Sequence, residues 1–358
     1  MRIIFKTSYL DDIRLFKHSG YVFWYGLLIA ALLVAPLVLR EFYVGELSQV
    51  FILAIAGVGL MLLIGYTGLV SLGHAAYMAI GAYANTYLLS QGVPFAIAFP
   101  AAGLIAMVAG MIVAVPANRM TGIYLAIATL AFAQIVEQVV IRWETVTRGP
   151  QGRPVPPPEL FGHPITAPSE FYYLCLAVLV LIVLAAINLT RSPTGRAMVA
   201  IRDSEISAQS LGVNLVRYKT TAFALSAGIT GLAGALFGHK LRYISPDAFN
   251  VILSIQLLLM VVVGGLGSIH GAIYGAIFVG GLPQAIALMR DSLPGAVAKT
   301  PGLEPALFGL VMILIVLFEP LGIYGRWLKI KAYFDYFPLY RKATFKRQRA
   351  YLKTERVR

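Results

Sequence analysis

Charge is scarce in this sequence, and acid is scarcest. Of 358 residues only 13% are charged, with 16 Asp and Glu against 29 Lys and Arg. Soluble domains run nearer about 25% charged and about 45–50% apolar, whereas 59% of this chain is hydrophobic. A soluble fold of this length has no interior that hides so much apolar surface, so lipid is the expected solvent. A single cysteine, Cys175, lies in an apolar run; it excludes an internal disulfide and argues against a cysteine-ligated metal site. The five histidines (His18, His74, His163, His239 and His270) show no metal-ligand spacing. The phosphate loop G-x4-G-K-S/T is missing, which excludes ATP hydrolysis by that route. Neither HExxH nor GxSxG occurs. No metal, no cofactor and no catalytic residue is therefore expected, and the chain does not read as an enzyme.

What is abundant is long apolar stretches. A bilayer core of roughly 30 Å takes about 20 apolar residues as helix, and helix leaves no backbone group unpaired in lipid. Suitable runs are Tyr21–Leu39, Leu47–Ile64, Ser71–Leu89, Pro94–Pro116, Gly122–Ile141, Phe171–Leu189, Thr220–Phe237, Phe249–Val263, Ile269–Leu288 and Gly302–Phe318. The eighth is short and the third begins with the polar string SLGHAA, so eight to ten spans are expected in an all-α polytopic membrane protein. Residues 1–20 form an N-terminal cytoplasmic or interfacial segment. The first apolar run is too long for the core of a cleaved signal.

The net charge of +13 raises nucleic acid as a partner, and the placement of the charges argues against it. Eleven of the 29 basic residues fall between Arg326 and Arg358, where a basic tail (321–358) meets acidic headgroups or a cytosolic partner. With both termini in the cytoplasm and ten alternating spans, 21 basic residues lie inside and 8 outside, as the positive-inside rule requires. The permease domain, 21–320, then carries an external loop at 142–170, rich in Pro and Gly and hence extended and semi-rigid. Its cytoplasmic loop, 191–219, is polar and reads as a short helix. In that loop Ala197, Val199, Ala200 and Ile201 make an apolar ridge. Arg202, Asp203, Ser204 and Glu205 supply charge and polarity, and Ile206, Ala208 and Leu211 resume the ridge before Gly212 ends the helix. Such a helix beneath a bilayer either docks in a groove on a soluble partner, with Asp203 and Glu205 placed to fix the docking by charge, or is a plain interfacial connector.

The string AIRDSEISAQSLGVNLVRYK (200–219) closely resembles the cytoplasmic coupling loop of branched-chain amino acid ABC-transporter permeases of the LivM type. GYTGLVSLGHAAYMAIGAYA (65–84), YLAIATLAFAQIVEQVV (124–140), TRGPQGRPVPPPELFG (147–162) and ISPDAFNVILSIQLLLMVVVGGLGSIHGAIYGA (244–276) follow in the same family order. The resemblance implies a permease subunit of an ATP-driven importer in the bacterial cytoplasmic (inner) membrane. Its implied partners are two ATP-binding cassette subunits, a second LivH-like permease and a periplasmic solute-binding protein. The implied docking residues are Arg202, Asp203, Ser204, Glu205, Ala208 and Gly212. Here Glu205 stands seven residues before Gly212, one more than the general EAA-x3-G form of importer permeases. Branched-chain or related hydrophobic amino acids are the implied substrate, with urea or short amides as the near alternative. An ion-gradient-driven secondary transporter is the rival class; it predicts buried acid–base relays, for which only Glu137 qualifies.

Candidates for the substrate pathway are Ser71, His74 and Tyr77 beside one Gly-flanked break, and Ser268 and His270, with Tyr274, beside a comparable one. Two pseudo-equivalent gates and plain interhelical hydrogen bonds both fit these residues. Glu137, the one acid well inside an apolar run, either attracts a substrate ammonium or pairs with Arg142. Rows of small residues (Ala227, Gly231, Ala235; Gly271, Gly275) fit close static helix packing, or contacts that slide during transport.

Overall fold

Every apolar run becomes a helix. The computed structural model describes residues 19–160, 162–291, 303–319 and 321–336. Most of the N-terminal segment and the end of the basic tail lie outside the described residues. The helices are α1 (Ser19–Val38), α2 (Glu41–Thr67), α3 (His74–Ser90), α4 (Phe95–Ala117), α5 (Ile123–Arg142), the short α6 (Glu144–Thr147) and α7 (Pro168–Arg191). Then follow α8 (Pro193–Asp203), α9 (Glu205–Ser210), α10 (Leu215–Leu241), α11 (Val251–Gly264), α12 (Ile269–Asp291), α13 (Leu303–Phe318) and α14 (Gly322–Tyr336). Among the described residues seven helices are long and apolar enough to cross a membrane, or up to eight when the bent pair α13–α14 counts as one span. The remaining apolar runs give α1 and the 17-residue α3. The α13–α14 bend is 45°, so the start of the expected tail is a helix, and the Glu319 carboxylate pairs with Arg326 across it.

The core is built on α2, whose apolar residues from Phe51 to Leu63 are nearly all buried. Around it stand α7, α10 and α12, with α3 and α4 packed on the other side of α10. The outward faces are greasy: on α4, Ile97, Leu104, Val108, Ile112 and Val115 are all exposed, as lipid contact requires. The small-residue rows serve close packing. A Cβ at Gly231 would collide with Ala106 of α4, and one at Gly81 of α3 would collide with the Gly231 backbone. On the other side, Gly264 and Gly275 let α11 and α12 touch backbone to backbone.

The Pro-rich loop closes one end of this bundle as extended chain, in keeping with its prolines. Strand β1 (Arg153–Pro154) pairs antiparallel with β4 (Tyr243–Ile244), and β2 (Glu159–Leu160) with β3 (His163–Pro164). Arg153 pins the loop: it donates to the Val146 carbonyl at 2.6 Å, donates to Ser90 and lies over the Tyr87 ring. Burial first, then the nearby Arg148 charge, pulls the Arg153 guanidinium below its ordinary value. His239 of α10 reaches the Pro156 carbonyl (3.1 Å) and Asn85 (2.8 Å), which ties the loop to the bundle.

Candidate functional site

At the opposite end the 191–219 segment forms two short helices, where the sequence suggests one. Ser192 caps α8 by accepting from Gly195 N, with Pro193 in the first turn. Ser204 ends it: its backbone is extended (φ −164°), and its hydroxyl accepts from Ser207 N at 3.2 Å to start α9. A serine that caps the next helix offers the chain a better partner than continuing the first. Gly212, at φ +83°, then turns the chain, and Asn214 caps α10.

This break overturns the single apolar ridge. Ala197, Ile201 and Ala208 face the bundle and are buried, whereas Ile206 is 80% and Leu211 82% exposed. The α9 pair therefore points away from the protein. The charges turn the other way. Glu205 Oε1 sits 2.7 Å from Lys219 Nζ, and that ammonium is buried. Arg202 donates from Nε and Nη2 to Asp203 Oδ1 (3.1 and 3.0 Å), and from Nη1 to the Gly65 carbonyl at 3.0 Å. Asp203 keeps an exposed carboxylate edge; Glu205 is spent inside the chain.

The first glycine-flanked break lies between α2 and α3. Gly68 takes φ +72°, and the chain from Leu72 into the first turn of α3 is sewn to three helices. Ser71 Oγ lies 3.1 Å from His74 Nδ1, and His74 Nε2 lies 2.8 Å from Ser226 Oγ of α10. Leu72 N donates to Thr129 Oγ1 of α5, and Ala75 N to Ser254 Oγ of α11, both at 2.9 Å. Ser226 is roughly 16 Å along α10 from its start, so this cluster sits near mid-bundle. The Tyr77 ring packs edge-on to His74 and against Phe132. Among the described residues its hydroxyl and that of Thr230 are buried without a hydrogen-bond partner, which marks an incompletely satisfied polar interior. Ser71, His74 and Tyr77 are thus brought together, and they recruit Thr129, Ser226 and Ser254. Those three escaped the sequence reading because an isolated Ser or Thr in an apolar run carries no local motif.

The second break, between α11 and α12, has Gly265 at φ +114° and Gly267 at φ +83°. Ser268 caps α12 through Gly271 N, while His270 turns outward to the Tyr25 hydroxyl (2.8 Å) and stacks on Tyr324. The two histidines therefore do not share one cavity, although the second break touches the last turns of α2 just before the first: Gly267 N points at Met61 Sδ (3.3 Å), and a Cβ at Gly65 would lie 2.8 Å from it. Glu137 stands apart, half-buried on α5. Among the described residues no ion pair joins it to Arg142. Its neighbours Gln134 and Gln138 are exposed on the same helix.

Greasy helices around a broken, partly polar interior, with a surface helix pair at one end, define a multi-pass membrane transport protein. The family model for the branched-chain amino acid transport system permease component matches residues 42–316, and the chain belongs to that family. It is 34% identical over 324 residues to the high-affinity branched-chain amino acid transport system permease protein LivM of Salmonella typhimurium, covering 83% of this chain and 74% of that protein. To LivM of Escherichia coli it is 35% identical over 305 residues, 78% of this chain and 69% of that protein. The permease protein LivH of Salmonella typhimurium is 26% identical over 303 residues, 76% of this chain and 91% of that protein. No solved structure matches this chain. As a permease component it is not an enzyme.

Proposed function

We propose that this chain is the membrane subunit of an ATP-driven importer that carries branched-chain or related hydrophobic amino acids across a bacterial inner membrane. The observation that carries the reading is the α8–α9 pair. It holds its polar ties inward while presenting Ile206 and Leu211, two large apolar side chains, to whatever lies beyond that end. Exposed apolar knobs on a short capped helix fit a groove on a soluble partner, here an ATPase subunit. Asp203 lends a charge at the rim, and Ser204, Ala208 and Gly212 shape the helix that carries the knobs. The α8–α9 end is then cytoplasmic and the Pro-rich loop external, which agrees with the bias of basic residues. ATP hydrolysis resides in two partner subunits, and a binding protein delivers substrate at the loop end. A second permease covers α5, where Gln134 and Gln138 sit exposed on a membrane-length helix and are costly against lipid.

Proteoliposomes holding the complete assembly test the substrate. Leucine delivered by the binding protein accumulates with ATP and a fivefold or larger excess of urea (roughly, for a discrimination of this kind) leaves uptake unchanged. Competition by urea or acetamide instead of valine would assign the amide class.

A further inference from the structure

Arg202 occupies an unusual position for a residue on a surface helix. Its Nη1 donates to the Gly65 carbonyl at 3.0 Å. Gly65 lies in the last turn of α2, where Gly68 N already bonds Ile64 O and Leu69 N bonds Leu63 O. The Gly65 carbonyl therefore belongs to the orphan set of a helix C-terminus, and a guanidinium there satisfies both the hydrogen bond and the helix dipole. The same side chain lies against both glycine breaks: a Cβ at Gly68 would come 3.2 Å from Arg202 Cγ, and one at Gly267 would come 3.2 Å from Nη1. Its other donors, Nε and Nη2, hold Asp203 at the α8 end. One planar fork thus joins the end of α8 to the point where the two breaks meet.

We propose that Arg202 is the positioning residue that carries motion of the α8–α9 pair into the segments 65–73 and 264–268, which move together as the gate of the passage. The proposal rests on the reading of α8–α9 as the ATPase-facing element. Both segments are able to move, since Gly68, Gly265 and Gly267 hold positive φ, a region glycine enters and leaves at little cost. They are also connected to the bundle's polar middle: the first reaches α5 through Leu72 and runs directly into the start of α3, where His74 and Ala75 reach α10 and α11, and the second reaches α2 through Met61. A shift of α8 by about one hydrogen-bond length breaks the Arg202–Gly65 bond or drags the end of α2 with it, and either result alters both breaks. Glu205–Lys219 performs the matching task for α10, but it touches neither break.

The test uses the complete transporter, reading ATPase retention, ATP hydrolysis and substrate moved per ATP. Arg202, which the resemblance implies for docking, spends Nε, Nη1 and Nη2 on Asp203 and Gly65 within the chain, so Arg202→Met is expected to keep the ATPase subunits bound and hydrolysing through Ile206 and Leu211 while substrate moved per ATP falls about tenfold. A packing or capping role alone would lower the amount of assembled protein and leave that ratio unchanged. An unchanged ratio overturns the proposal; so does loss of the ATPase from the complex, which would make Arg202 a docking residue. If Arg202→Met does not accumulate, Arg202→Lys keeps a cation at the helix end but cannot grip Asp203 and Gly65 together, and its ratio is expected to fall about threefold. An unchanged ratio for that variant overturns the proposal equally. Failure of the wild-type chain to retain any ATPase would instead sink the underlying reading of α8–α9.

Discussion

Lys219 and Glu205 form an asymmetric pair, the ammonium almost fully buried and the carboxylate about one-third exposed. Removing the acid strands a buried charge, whereas removing the base leaves a carboxylate that water already reaches. Glu205→Ala is therefore expected to cost about 2–3 kcal/mol and Lys219→Met clearly less. Thermal melting of the purified protein in detergent measures both, and equal losses would contradict the geometry. At this scale the sequence was half legible. Ser71, His74 and Tyr77 stood out by their glycine-flanked string and do assemble. Ser226, which bonds His74, and Ser254, which accepts from the neighbouring Ala75 N, lie about 150 or more positions away, and no local pattern links residues so distant. Glu205 was readable as a charge near a docking surface. That its partner lies inside the chain depends on how α9 folds back on α10, which spacing alone does not determine.

Among the elements, helix existence was plain in the apolar runs, because lipid leaves the backbone no other way to satisfy itself. The break at Ser204 was not plain. Periodicity across Ile201, Ala208 and Leu211 reads as one ridge, but a cap at Ser204 re-aims everything after it and turns Ile206 and Leu211 outward. The small residues of α10 make a sharper prediction. Gly231→Val would drive a side chain into Ala106 and is expected to destabilise the bundle by about 2–3 kcal/mol. Gly281 has nothing within 4 Å of the corresponding Cβ position, and Gly281→Val should change melting by less than about 1 kcal/mol. Similar losses at the two sites would refute close packing as the function of the α10 row.

For the whole molecule the question is which end faces the ATPase. Cys175 is fully buried, so the wild-type chain should react little with maleimides and single introduced cysteines give clean signals. In cells lacking the ATPase subunits, which would otherwise cover it, Leu211→Cys is expected to react with a membrane-impermeant maleimide only after the cells are opened, and Glu159→Cys, exposed in the Pro-rich loop, in intact cells. The opposite pattern would invert the assembly and displace the ATPase from α9. The basic-residue bias proposes this orientation from nothing more than where charges fall along the chain, and the labelling tests it. The proposed site of partner contact is marked in the sequence only as a stretch, because which side chains emerge from it depends on the turn between two helices.

The central claim, that α9 is where the ATPase binds, has one most direct measurement: ATPase retention and ATP-dependent leucine uptake by reconstituted transporter carrying Ile206→Asp together with Leu211→Asp. Both side chains are at least 80% exposed, so the fold tolerates the change. The double variant is expected to insert at wild-type level, lose bound ATPase by about tenfold or more and fall to background uptake. Wild-type retention and uptake by the same variant would contradict the claim.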